Sequence, residues 1–259
     1  EKDESISASE ATLGNVLHAI MHRLYTPYIG QQITNSTIEG LLRLVNDDAY
    51  WASLAPLQDL KGDRLAEKVV RTYVNNILHY DYTCTPFQLL AAEQPIRVVL
   101  PNNMTINGTL DRLDIKAGMT RVVDYKTGKA DLNYSSMADV FGVMPPAEGE
   151  TYALRKQGNT YILQTMLYCW ILSDQYAQLS PTIYPARQLS DASIMTGIHA
   201  VGDNQPLLFD DTKKQEFIDE LTALIHEIRN PEIPFYPCAD EHVCKSCNFM
   251  ALCGRKSKK

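Results

Sequence analysis

The sequence predicts an α/β domain built on a mixed β-sheet. Apolar residues recur at helical spacing through the N-terminal third, and the period then changes to two. Strand-like runs follow one another between residues 95 and 126, after which a helical block, a further strand and a last helix complete the chain. Alternating helical and strand blocks in 259 residues fit one large domain, or two small ones, around a mixed sheet.

Each element has its own signal. Residues 12–25 place Leu13, Val16, Leu17, Ile20, Met21 and Leu24 on one face, with Thr12 as the expected N-cap. A second helix is expected from about Ser36, carrying Ile38, Leu41, Leu42 and Leu44, and a third over 62–80, carrying Leu65, Val69, Val70, Tyr73, Val74 and Ile77. Residues 95–101 read as the first strand, Asn102-Asn103 as a turn, and 104–116 and 121–126 as the next two strands. Pro145-Pro146 and Gly149 mark 129–156 as a long loop. A helix is expected over 158–174, a strand over 193–201, and a helix from Asp211 to Arg229, stopped by Pro231. The expected division is a helical part at 1–90, a core at 91–230 and a cysteine-rich segment at 231–259.

Composition narrows the class. Hydrophobic content of 45% is ordinary for a globular protein, and no apolar run approaches the ~20 residues of a membrane span. No charged-then-apolar secretory leader is seen, so a reducing, cytoplasmic compartment is expected. The first residue is Glu1 rather than Met, which reads as a fragment or a processed chain. A net charge of −7 counts against a free-standing nucleic-acid binder, yet it leaves a nuclease open because the local field matters more than the total. Basic pairs stand at Lys126/Lys129 and Arg155-Lys156, and the basic tail 255–259 reads as a solvated end.

The most informative stretch runs from Gly108 to Gly128. With a two-residue turn at Ala117-Gly118, antiparallel pairing sets Asp111 directly across from Asp124. Opposed side chains lie roughly 4.5–5.5 Å apart at Cβ, where like charges repel. A divalent cation shared by both carboxylates, or a shared proton, would offset that repulsion. A surface hairpin with a cross-strand salt bridge is the plainer alternative. However, both aspartates sit on strand faces otherwise occupied by Leu, Ile and Val. Lys126 shares the face of Asp124 and puts an ammonium beside the same point, where it could hold a water or neutralise developing charge. Asp114 falls on the opposite face from Asp111.

His18 sits at the edge of the first apolar face, with Gly14 one turn earlier leaving room for close approach. His22 pairs with it at i,i+4, but no Glu follows His18 as in the zinc-protease pattern, so that reading is rejected. Gln164 and Tyr168 share a helix face and offer an amide, a hydroxyl and a stacking ring. Of six cysteines, Cys84 and Cys169 read as buried small hydrophobes. The others, Cys238-x5-Cys244-x2-Cys247-x5-Cys253, suit a zinc or iron–sulfur site better than disulfides.

Taken in order, Gly14-x-x-x-His18, Gly108-Thr-Leu-Asp111-Arg-Leu-Asp114, Val123-Asp124-Tyr-Lys126-Thr-Gly128 and Gln164-x-x-x-Tyr168 resemble the RecB-type branch of the PD-(D/E)XK nuclease superfamily. The trailing cysteines resemble those of its iron–sulfur members: the AddB nuclease domain of a DNA-repair helicase–nuclease, and the CRISPR-associated RecB-like exonucleases. The resemblance covers about residues 12–254 and implies a restriction-endonuclease-like core that cleaves DNA by metal-assisted phosphodiester hydrolysis. It implies that His18, Asp111, Asp124 and the Tyr125 carbonyl bind Mg²⁺ or Mn²⁺ and that Lys126 positions the attacking water. Gln164 and Tyr168 would contact the DNA backbone, with Lys129 and Arg155 as further DNA contacts, and Glu93, just before the first strand, would be a supporting acid. Cys238, Cys244, Cys247 and Cys253 would hold a [4Fe-4S] cluster or Zn²⁺. In the iron–sulfur members one cluster ligand precedes the His helix. No cysteine precedes His18 here, so either that ligand lies upstream of this sequence or Cys238 takes its place. The implied partners are linear DNA ends and a helicase–nuclease subunit.

Overall fold

A computed structural model describes residues 9–100, 103–144, 154–191, 194–233, 235–239 and 241–255. Helix α1 (Glu10–Tyr25) is capped by Ser9, whose hydroxyl accepts from the Thr12 amide, so the cap lies one turn earlier than expected. Thr12 occupies the third helical position, and its hydroxyl meets that of Ser9 at 2.9 Å. Val16, Leu17, Ile20, Met21 and Leu24 are buried. A short strand β1 (Gln32–Ile33) precedes α2 (Asn35–Val45), which opens with a reciprocal capping box between Thr34 and Thr37. Helix α3 (Asp48–Ala52) buries Trp51 and is too short to display a helical period in the sequence. Helix α4 (Arg64–Cys84) runs one turn beyond the expected end, burying Asp81 and Cys84.

The meander then begins earlier than the sequence suggests. Strand β2 spans Phe87–Val99, followed by β3 (Thr105–Lys116) and β4 (Met119–Lys126). Strand β1 pairs only with the first residues of β2, so Pro95 sits where β2 has an open edge and its missing N–H costs no ladder bond. The stretch read as a loop holds β5 (Asn133–Tyr134), α5 (Met137–Val140), β6 (Val143–Met144) and β7 (Leu154–Arg155). Pro101, Asn102, Pro145, Pro146, Gly149, Ser193 and the tail beyond Arg255 lie outside the described residues.

Helix α6 (Thr160–Leu172) crosses over to β8 (Leu179–Pro185), which pairs in parallel with β4. This strand is absent from the sequence-based expectation because Pro181 and Pro185 interrupt its signal. The sheet accommodates both prolines because β8 is its last strand, met beyond only by isolated bridges to Phe209 and Gly197. The strand expected over 193–201 is reduced to β9 (His199–Ala200), paired with β5. Helix α7 (Asp211–Arg229) has the expected bounds.

The main sheet runs β1-β2-β3-β4-β8, with all neighbours antiparallel except β4 and β8. One face packs Phe87, Leu89, Val123, Tyr125 and Tyr184 against α1, α2 and α4. The other packs Leu113, Val122 and Ile183 against α5, α6 and α7. A buried charge cluster runs through the first core. Arg112 bonds Asp81 and Asp114 at 2.7 and 2.6 Å, Arg121 bonds Asp114 at 2.7 Å, and the Arg112 guanidinium lies 4.4 Å from the Phe87 ring centroid. Burial alone would lower the pKa of Arg112, but the charges of Asp81 and Asp114 outweigh it and hold it well above the ordinary value.

Candidate active site

Ala117 and Gly118 both have positive φ, as a tight two-residue hairpin turn of the favoured hand requires. Pairing runs from Lys116↔Met119 to Arg112↔Val123, the register that the expected turn implies, and the paired stretch ends one residue short of Asp111 and Asp124. The two carboxylates diverge into separate contacts. Asp111 Oδ2 accepts from the Tyr125 amide at 2.7 Å, and Asp124 Oδ1 accepts from Lys126 Nζ at 2.8 Å. Asp114 faces away into the arginine cluster.

Helix α1 brings His18 over this end of the sheet. Its Nε2 donates to the Tyr125 carbonyl at 3.1 Å, while Nδ1 lies 3.1 Å from Glu93 Oε1 and 3.3 Å from Asp111 Oδ1. Burial works against a charged imidazole, but hydrogen bonds to Asp111 and Glu93 and their charges outweigh it, raising the His18 pKa to about 10. The two acids thus favour the charged form of this imidazole. Gly14 brings no close approach, since a Cβ there would meet nothing within 4 Å.

Glu93 is a correction to the sequence-based picture. It lies inside β2 rather than before it, and its carboxylate oxygen, a His18 ring nitrogen and an Asp111 oxygen converge within 4.8 Å of one another. The register of β2 against β3 shifts between Leu89 and Ala91, and Glu93 itself has φ 49. A non-glycine residue with such a φ inside a strand is strained, and the strained backbone lies at the convergence point. A Glu just ahead of a Pro-containing run was the one available signal, and Pro95 hid the strand around it.

Asp124 is nearly fully buried. Burial and the Asp111 charge raise its carboxyl pKa, the Lys126 charge and hydrogen bond oppose them, and the balance is about 7. Its Oδ2 lies 2.7 Å from Lys126 Nζ yet receives no directed hydrogen bond, because Oδ1 takes that bond. On α6, Gln164 Oε1 accepts from Lys126 Nζ at 3.1 Å and its amide donates to the Tyr168 hydroxyl at 2.9 Å. Lys129 is exposed beyond the end of β4. Arg155 is taken up elsewhere: its guanidinium holds Glu227 of α7 at 2.7 Å and the Phe141 carbonyl at 3.2 Å. Cys238 and Cys244 are half-buried and Cys247 and Cys253 exposed, with Arg255 bridging the Cys238 carbonyl and the Cys244 thiol. Among the described residues, the ligand atoms that converge as a metal group are those of His18, Glu93 and Asp111, not the thiols.

The donor set fits a hard divalent cation. With His18 neutral, as metal ligation requires, three carboxylates against one ammonium leave two negative charges, a carbonyl stands beside them, and Asp124 Oδ2 has lone pairs beyond its contact with the ammonium. A mixed sheet flanked by helices, with acids, a histidine and a lysine gathered at one end of its hairpin, is an arrangement suited to metal-assisted hydrolysis. The family model for the PD-(D/E)XK nuclease superfamily matches residues 1–254, and the chain belongs to that superfamily. The fold is accordingly restriction-endonuclease-like, and the chain is a nuclease of a superfamily that uses divalent metals. No curated protein sequence matches the chain.

Proposed function

We propose that the protein is a Mg²⁺- or Mn²⁺-dependent DNA exonuclease domain of a DNA-repair helicase–nuclease, acting in the cytoplasm on linear ends. The observation that carries the reading is the convergence of His18, Glu93 and Asp111 beside the Asp124–Lys126 pair. His18, Asp111, Asp124 and the Tyr125 carbonyl would hold the metal, and Glu93 joins them as a ligand or hydrogen-bond partner. When bound, the metal supplies Lewis-acid stabilisation of the phosphoryl group and lowers the pKa of coordinated water. The protein's own part is positional and electrostatic. Asp111 is fixed by the Tyr125 amide, Asp124 pins Lys126, and the ammonium orients the attacking water and offsets charge gathering on the phosphate. The water oxygen bonds to phosphorus as the bond to the leaving sugar oxygen breaks, the water giving up one proton to solvent and the departing oxygen taking one up from it. Exposed Lys129 would meet the DNA backbone.

The thiols of Cys238, Cys244, Cys247 and Cys253 would take up a [4Fe-4S] cluster or Zn²⁺, a reading supported by their spacing and by the resemblance to iron–sulfur members. An anaerobic preparation that is colourless and carries stoichiometric zinc would overturn the cluster in favour of zinc. Two other contexts share the fold: a stand-alone CRISPR-type exonuclease and a DNA-end-binding module without cleavage. Intact Asp111, Asp124 and Lys126 favour catalysis. The test is degradation of linear single- and double-stranded DNA beside a closed circle of equal length. The proposal expects Mg²⁺-dependent loss of the linear forms only. Cleavage of the circle at the same rate would overturn the exonuclease assignment.

A further inference from the structure

We propose that α6 is a positioning wall for Lys126: Tyr168, seated against Gly108, orients the Gln164 amide, and Gln164 Oε1 together with the Tyr161 ring holds the ammonium in place. The proposal rests on the nuclease reading of Lys126. It goes beyond that reading by giving Gln164 and Tyr168 a task inside the protein, where the family resemblance implies contact with DNA.

Four observations converge. An ammonium can only donate, so the Gln164 atom 3.1 Å from Lys126 Nζ is the carbonyl oxygen. The remaining amide then faces Tyr168, a largely buried residue whose hydroxyl accepts at 2.9 Å. A Cβ at Gly108 would lie 3.0 Å from Tyr168 Cε1 and 3.1 Å from its hydroxyl, so the absence of a side chain on β3 is what admits the ring. Residues 161, 164 and 168 recur along one helix face, and the Tyr161 centroid lies 5.1 Å from Lys126 Nζ. With Asp124 opposite, the ammonium is enclosed by an acid, an amide oxygen and an aromatic face. A lysine carries four rotatable bonds, and this enclosure removes the freedom that would let Nζ leave the water position.

The test uses the full chain labelled with ¹⁵N-lysine, in which the Lys126 ammonium resonance is assigned by its loss in Lys126→Arg, together with steady-state cleavage of linear DNA and Mn²⁺ titration. In Gly108→Ala, Tyr168→Phe and Gln164→Ala the ammonium signal is expected to shift or broaden away. Their kcat should fall about tenfold to a hundredfold, the scale of a misplaced catalytic group, with KM and Mn²⁺ affinity within about twofold of the parent. Gln164→Glu keeps an acceptor for the ammonium and should recover kcat relative to Gln164→Ala. A phosphate contact predicts the reverse, because a second carboxylate repels the backbone. An ammonium signal unchanged in Tyr168→Phe and Gly108→Ala, a rise confined to KM, or Gln164→Glu slower than Gln164→Ala would each overturn the proposal. If the signal responds as expected but the parent cleaves no DNA, the positioning wall stands and the nuclease reading falls.

Discussion

His18 is the residue on which the chemistry of the metal-free protein turns. It donates to a carbonyl and faces two carboxylates, so it carries two protons, whereas a metal-ligating imidazole must be neutral. Its pKa of about 10 lies above the ordinary 6.5, so its stabilising effect is complete below pH 6.5 and is lost as pH rises through 10. Asp124, raised from 3.8 to about 7, adds the same sign between those values. The melting temperature of the metal-free protein should therefore fall from pH 5 to pH 9, and Mn²⁺ should restore it by a margin that grows with pH. Calorimetric titration at pH 7 in buffers of different ionisation enthalpy should show about one to two protons released per Mn²⁺ bound. A pH-independent melting temperature or binding without proton release would contradict this. Much of the geometry here was legible at this scale: the Ala117-Gly118 turn fixes the hairpin register that brings Asp111 and Asp124 to one end of the paired stretch, and strand alternation separates Asp114 from Asp111. Glu93 was not, because a register shift and a left-handed backbone turn it into the site, and neither leaves a mark in a two-residue period.

At the scale of elements, the strands carrying the site are held from behind by buried charge. Arg112 neighbours Asp111 in β3 and ties it to α4 through Asp81 and to β4 through Asp114 and Arg121. Replacing Arg112 with Met leaves buried Asp81 without its cationic partner and Asp114 with Arg121 alone, and urea unfolding should show a loss of about 3–5 kcal/mol. A loss below ~1 kcal/mol would mean that the cluster contributes little. This cluster was hidden in the sequence because the partners of Arg112 and Asp114, Asp81 and Arg121, arrive from elsewhere in the chain. Helix α1 gives the opposite case. Gly14 is a helical residue beside open space, so Gly14→Ala should raise stability by about 0.5–1 kcal/mol in the same unfolding experiment. A destabilisation would contradict the open space seen there. The sheet's far edge shows what periodicity does not reveal: β8 is buried along its whole length, yet two prolines disguise it, and only its place at the margin makes them tolerable.

Over the whole molecule, N-terminal helices cover one face of the sheet and α5, α6 and α7 the other. The first layer delivers His18 and the second delivers Gln164 to a hairpin that supplies both aspartates and the lysine. Among the described residues no helix is long and apolar enough to cross a membrane. The central claim is that this junction of two layers is one metal-dependent nuclease site in which ligands and water-positioning group are separable. Mn²⁺ binding and Mn²⁺-dependent DNA hydrolysis measured side by side on the parent, Asp124→Ala and Lys126→Ala test it most directly. The account predicts that Asp124→Ala loses both binding and cleavage, while Lys126→Ala binds Mn²⁺ with near-parental affinity and loses cleavage by at least about a hundredfold. Parental cleavage rates in either variant would contradict it.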